Sequence, residues 1–137
     1  MILVDTSVLI DLFKGVSNDP ANRMREVLTY DIPFGITSVI YQEVLQGAKS
    51  EKEYALLKEY LSCQRFFHPQ DPLETYEDAA RIYFYCRKKG VTIRSTIDCL
   101  IAQIALEQNL LLLHNDKDFD AMAPIIKLRL YKMYSAS

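Results

Sequence analysis

Cysteine and histidine are scarce in this sequence. Its three cysteines, Cys63, Cys86 and Cys99, are odd in number and show no C-x-x-C spacing, which argues against a disulfide framework and against a thiolate zinc site. Only two histidines are present, His68 and His114. A metal bound here would therefore be held by carboxylates, which take hard cations such as magnesium or manganese. No run of eighteen apolar residues occurs, and the apolar opening is broken by Asp5 and Asp11 with no basic segment ahead of it. Neither a membrane span nor a secretory signal is predicted, and the expected location is cytoplasmic. Low-complexity tracts, internal repeats and linkers are also missing, so residues 1–137 are expected to form one domain, with half of them hydrophobic.

What is present is unevenly distributed. Residues 1–78 carry thirteen acids against seven bases, whereas residues 79–97 hold Arg81, Arg87, Lys88, Lys89 and Arg94 with no acid. Two readings fit this basic stretch. Basic residues suit the negative end of a helix, and they also suit a strip on which phosphates land.

The order of elements is an alternation. Ile2-Leu3-Val4 reads as a buried strand ending at Asp5, with a helix beginning near Ser7. Asp19 and Pro20 mark the start of a second helix, as cap and first residue. A short strand is expected over 33–37, followed by a helix from Ser38 that carries Glu43 and stops at Gly47. Ser50 and Glu53 form a capping box for another helix, and 66–68 is a third strand candidate. Asp71, Pro72 and Glu74 open a long helix that ends at Gly90. Apolar residues at helical spacing from Ile97 to Ala105 predict a helix with Asp98 in its first turn. Leu110 to Leu113 is a strongly apolar strand running into Asn115, Asp116 and Asp118, and a short helical turn and a last strand near 128–131 complete the chain. Strands separated by helices imply an α/β fold: a three-layer sandwich with a central, mostly parallel sheet of about five strands.

Four acids can be placed at the carboxyl edge of that sheet, where open α/β folds bind ligands. Asp5 and Asp116 each follow an apolar strand, Asp98 opens a helix, and Glu43 lies early in a helix entered directly from a strand. Each also has an ordinary structural role, as a helix cap or as a charge favoured at a helix start. Taken together they conflict. Two carboxylates about 5 Å apart repel by roughly 3 kcal/mol at an effective dielectric near 20, so a cluster needs protons or a cation.

At this point the chain resembles the PIN-domain ribonucleases and, within them, the VapC-type toxins of toxin-antitoxin systems. The resemblance rests on the opening Ile2 to Ile10, the Gln42 to Gly47 helix, the Ile97 to Ala102 helix and the Asn115 to Phe119 segment, in that order and spacing. It implies a catalytic quartet of Asp5, Glu43, Asp98 and Asp116. Asp5, Asp98 and Asp116 would hold one or two Mg²⁺ or Mn²⁺ ions, with Glu43 bound directly or through water. Asp118 and Asn115 compete with Asp116 for the fourth position, and Leu113 stands where relatives often have Thr. Thr6 matches a hydroxyl that lines the site, and Asn115 is a supporting residue. The implied reaction is endonucleolytic water attack on RNA, leaving 5′-phosphate and 3′-hydroxyl ends. Arg81, Arg87, Lys88, Lys89 and Arg94, with the late Lys127, Arg129 and Lys132, would bind the RNA backbone. Structured RNA such as tRNA, a homodimer and a VapB-type antitoxin laid along the active-site groove are the partners that the resemblance implies.

Two other classes fit parts of the pattern. A haloacid-dehalogenase-type hydrolase wants a second acid two residues after its nucleophile, where this chain has Ser7. A response-regulator receiver wants a lysine after a late strand, where only Lys117 is available, inside the acidic loop. A PIN-like scaffold that binds RNA or protein without cutting it would be expected to have lost acids, and all four are present.

Overall fold

The computed structural model describes residues 1–132. Strand β1 (Ile2–Val4) leads into α1 (Thr6–Phe13) and α2 (Asp19–Thr29), β2 (Phe34–Ile36) into α3 (Ser38–Gln46) and α4 (Glu51–Ser62), and β3 (Arg65–Phe66) into α5 (Glu74–Lys88) and α6 (Thr96–Glu107). Strand β4 (Leu111–Leu113) and α7 (Lys117–Ile126) follow. The strands form one parallel sheet in the order β3-β2-β1-β4, with Ile2 paired to Phe34 on one side and to Leu111 on the other.

All three residues of β1 are buried, as expected for a central strand covered on both faces. Helices α1 to α4 pack among themselves, as do α5, α6 and α7. The topology accounts for the division. The chain steps from β1 to β2 to β3 in one direction, then crosses back to place β4 on the far side of β1. Right-handed crossovers made in opposite directions put their helices on opposite faces of the sheet. The reversal creates a switch point between β1 and β4, and the crevice beyond the carboxyl ends of those two strands is where a ligand has room. On the other flank β3 closes tightly on β2: a Cβ at Gly35 would lie 2.5 Å from the Phe67 ring and 2.8 Å from the Arg65 carbonyl.

The expected alternation is present, with local differences. Asn18, rather than Asp19, caps α2, its side chain accepting from the Ala21 N–H at 2.9 Å. Strand β3 is Arg65–Phe66 instead of 66–68. The expected short turn after Asp116 is a ten-residue helix that carries Pro124. The expected last strand is reduced to a single parallel bridge between Leu112 and Leu130. Its physical reason is the end of α7. Lys127 turns left-handed at φ 58°, and the Leu128 N–H bonds back to the Ala123 carbonyl at 3.1 Å, leaving only Arg129 and Tyr131 to bond Leu112. The sheet therefore has four strands and a rudimentary fifth.

Candidate metal centre

The crevice at the switch point is walled on one side by the start of α1. Asp5 leaves β1 with its own N–H bonded to the Leu113 carbonyl of β4 at 2.9 Å, so the two strands are still joined where the acid begins. Its carboxylate is buried, and Oδ2 accepts from both the N–H and the Oγ of Ser7, at 3.1 and 2.6 Å. Asp5 is thus the N-cap of α1. Ser7 donates to the carboxylate, and Thr6 serves a different acid. The Thr6 Oγ1 donates to Glu43 Oε1 at 2.7 Å, drawing α3 to the same edge. Burial raises the Asp5 pKa above the ordinary carboxylate range, against the lowering effect of its Ser7 hydrogen bonds.

The opposite wall is more crowded. Ser95 caps α6 and leaves Asp98 in its first turn. Carboxylate oxygens of Asp98, Asp116 and Asp118 all lie within 4.8 Å of one another. The Asp98 carboxyl is pushed up to about 7, first by burial and then by the charges of Asp5, Asp116, Asp118 and Glu43. That list of neighbours shows that all four acids expected from the sequence converge. The tightest group, however, is Asp98 with both acids of the β4–α7 loop, and Asp5 lies outside it.

Asp116 and Asp118 share the fourth position unequally. Asp116 follows β4 by three residues and caps α7, its Oδ1 accepting from the Asp118 N–H at 2.9 Å. Asp118 is buried, and its Oδ2 takes both the main-chain N–H and the Nε of Arg94, at 3.3 and 3.1 Å. A second guanidinium nitrogen of Arg94 lies 3.6 Å from Asp116 Oδ1. Arg94, grouped by sequence with the phosphate-landing strip, therefore sits at the acids as their counter-charge. Asn115 turns away from the acids. Its N–H donates to Ser7 Oγ and its Nδ2 to Asp11 Oδ2, both at 2.9 Å. It braces the loop instead of supplying a ligand oxygen.

Three participants were not foreseen. Ser7 holds both Asp5 and the Asn115 N–H. Asp11 accepts from Asn18 as well as Asn115. His114 accepts the Asp116 N–H at Nδ1 (3.0 Å) and places Nε2 3.2 Å from Asp120. Ser7 and His114 adjoin recognised acids, which was the available signal; Asp11 carried none.

The other basic candidates lie on α5. Arg81, Arg87, Lys88 and Lys89 are exposed. Arg81 lies over Tyr85, Arg87 over Tyr83 and Lys88 over Phe84, at 5.9, 5.5 and 4.7 Å from the ring centroids. The 89–95 connection leads from the carboxyl end of α5 to the start of α6, which carries Asp98. Arg81 lies farther back, six residues or about 9 Å of helix from Arg87. Of the late cations, Arg129 donates to the Asn109 carbonyl at 3.0 Å, and Lys127 and Lys132 are exposed.

Chemically, the crevice is an all-oxygen set with like charges held together and partly withdrawn from water. Such a set fits a hard divalent cation, which replaces the missing solvation and cancels the repulsion. One arginine cannot balance five acids.

A family model described as the PIN domain matches residues 2–124. Ribonuclease VapC11 of Mycobacterium tuberculosis and VapC ribonuclease Mb1587 of Mycobacterium bovis are each 31% identical over 130 residues, covering 94% of this chain and 96% of the relative. The structure of VapBC-1 from nontypeable Haemophilus influenzae is similar at a TM-score of 0.70 and 22% identity, over 96% of this chain and 98% of that one.

Proposed function

The chain belongs to the PIN-domain family, and from that premise we propose that it is a metal-dependent endoribonuclease toxin that cuts structured RNA, such as tRNA, and is silenced by a VapB-type antitoxin. The observation that carries this reading is the convergence of Asp5, Glu43, Asp98 and Asp116 at the β1/β4 switch point, with the Asp98 carboxyl pushed up to about 7. A site built for a neutral ligand would have no use for such crowding.

In this reading Asp98, Asp116 and Asp5 hold Mg²⁺ or Mn²⁺, with Asp118 as an auxiliary acid and Glu43 directly or through water. When bound, one or two ions would activate water and stabilise the negative charge that develops on the phosphodiester. The protein's own groups do the rest. Ser7 fixes the Asp5 carboxylate, Thr6 fixes Glu43, and the Asp116 cap on α7 sets the angle of its carboxylate. Arg94 pairs with Asp118 and offsets its charge. Arg87, Lys88 and Lys89 draw the RNA backbone toward an otherwise repulsive pocket, with Arg81 extending that strip along α5.

An RNA substrate of this kind places the protein in the cytoplasm, and we include a homodimer in the proposal. An antitoxin helix has a surface of suitable character beside α1 and α4. Phe13 and Tyr60 meet edge to face there at 5.8 Å, and both are exposed together with Leu56. Exposed apolar clusters of this kind suit the apolar face of a partner helix.

The test is cleavage of total tRNA by purified protein with Mn²⁺, followed by sequencing of the new ends. Cuts with 5′-phosphates that vanish in EDTA and in Asp98→Asn are expected. Equal cleavage by Asp98→Asn would overturn the assignment.

A further inference from the structure

Beside Asp116 lies a cavity of about 340 Å³ between the start of α2, the β4–α7 loop and the chain after α7. Its size falls at the lower end of small-ligand pockets, which run from roughly 300 to 1,000 Å³. Three cations line it: Arg23, Lys117 and Lys132. Among the described residues none of the three is in an ion pair, and Arg23 Nε is buried with no hydrogen-bond partner.

The acids lining the same cavity have other commitments. Asp120 faces His114 at 3.2 Å, and Asp116 caps α7 and lies near Arg94. Asp19 sits in the first turn of α2, where the helix amides favour a negative charge. The three cations have no paired acid, whereas each of the acids already has a hydrogen-bonding or helix-end role, so an anion has cations free to receive it. A buried guanidinium nitrogen without an acceptor is costly, and a phosphate oxygen is the acceptor that a guanidinium suits best. Tyr131 adds a ring to the wall, and bases stack on such rings. The α5 strip differs, because its cations already lie over aromatic rings of their own helix.

We propose that this cavity seats the nucleotide next to the scissile linkage, its phosphate held by Arg23, Lys117 and Lys132 and its base laid against Tyr131. The proposal rests on the ribonuclease reading for the identity of its occupant, since the cavity shares Asp116 with the metal centre. It adds a subsite that fixes register: a phosphate seated at Arg23 sets which linkage reaches the carboxylates.

Two measurements test it, the first without cleavage. ¹⁵N-labelled protein in EDTA is titrated with adenosine 5′-monophosphate, inorganic phosphate and adenosine while the Arg23 Nε resonance is followed. The monophosphate should shift it saturably, phosphate should shift it more weakly, and adenosine should leave it in place. Lys117→Ala, an exposed change, should weaken the monophosphate at least threefold by the same resonance, and Arg23→Ala, followed at the Lys117 main-chain amide because it lacks that resonance, at least tenfold. An unmoved Arg23 resonance, or an equal response to adenosine, would overturn the subsite. The second measurement uses a short RNA with one cut site and Mn²⁺. Arg23→Ala should raise KM about tenfold with kcat within threefold. A neutral methylphosphonate at the neighbouring linkage should cost the wild type as much and cost Arg23→Ala little more. Independent, multiplying losses would also overturn the subsite. A wild-type protein that cuts no RNA counts against the ribonuclease reading alone, because the titration does not depend on cleavage.

Discussion

The two walls of the acidic crevice differ in how their charges are kept. On the α1 side Asp5 and Glu43 are each held by a hydroxyl, from Ser7 and Thr6, and Asp5 also accepts a main-chain amide. On the α6–α7 side three carboxylates crowd within 4.8 Å, and only Arg94 opposes them. Hydrogen bonds to a carboxylate favour its charged form, whereas burial among like charges favours its neutral form. One wall is therefore fixed by local hydrogen bonds, while the other is crowded by like charges that a cation would relieve.

Breaking the crowded wall should have the largest effect. Asp98→Asn is expected to lower RNA cleavage by on the order of a thousandfold. The same change should raise the melting temperature of the metal-free protein, because one repelling charge is gone. The fixed wall should answer differently: Asp5→Ala should lose activity and also lose about 1–2 kcal/mol of stability with its helix cap. Melting curves of both variants in EDTA, read beside their cleavage rates, distinguish the walls. Equal destabilisation would erase the contrast.

Acidity should sharpen it next. Asp98 titrates near 3.8 when unfolded and about 7 when folded, so the folded state holds the extra proton in between. Metal-free stability should fall as pH rises across that interval, by up to about 2 kcal/mol from pH 5 to 7. Mn²⁺ should stabilise little at pH 5 and strongly above pH 7, with proton release measurable by calorimetry in buffers of different ionisation heat. Asp98→Asn should flatten both profiles.

Smaller effects are expected from the groups that hold the acids. Arg94→Gln leaves the buried Asp118 without its counter-charge, and a small loss of stability in EDTA is expected, with part restored by Mn²⁺; thermal scans in both conditions measure it. Thr6→Val removes the donor to Glu43 and should reduce kcat by a few-fold with stability nearly unchanged, as steady-state cleavage would report.

Acids of both walls were legible in the sequence. Asp5 follows a three-residue apolar strand, and Asp116 shortly follows another, so period and burial alone carry both to a sheet edge. Glu43 and Asp98 needed only helix boundaries that short-range signals mark, such as Gly47 closing α3. What could not be read is what depends on spatial order. That β4 lies beside β1, making the switch point, is a property of the sheet and not of any segment. Arg94 reaches Asp118 across 24 residues, and sequence shows only its charge, so it was grouped with α5. Asn115 looked like a ligand because its neighbours are acids, and its amide is taken instead by Asp11, more than 100 residues away. Only a short helical turn was expected after Asp116, but α7 runs past Pro124 to Ile126 with Phe119 and Met122 buried beneath it.

Asp11 carries a consequence for motion. One of its oxygens accepts from Asn18, which caps α2, and from Asn115, which leads into the Asp116 loop. The helix start that bears Arg23 and the loop that bears the metal acids are thereby tied through a single atom. Segments joined in this way open as one cooperative unit. Amide exchange at Ala21 and at Asp118 should follow a common opening rate, and Asp11→Ala should let the two diverge.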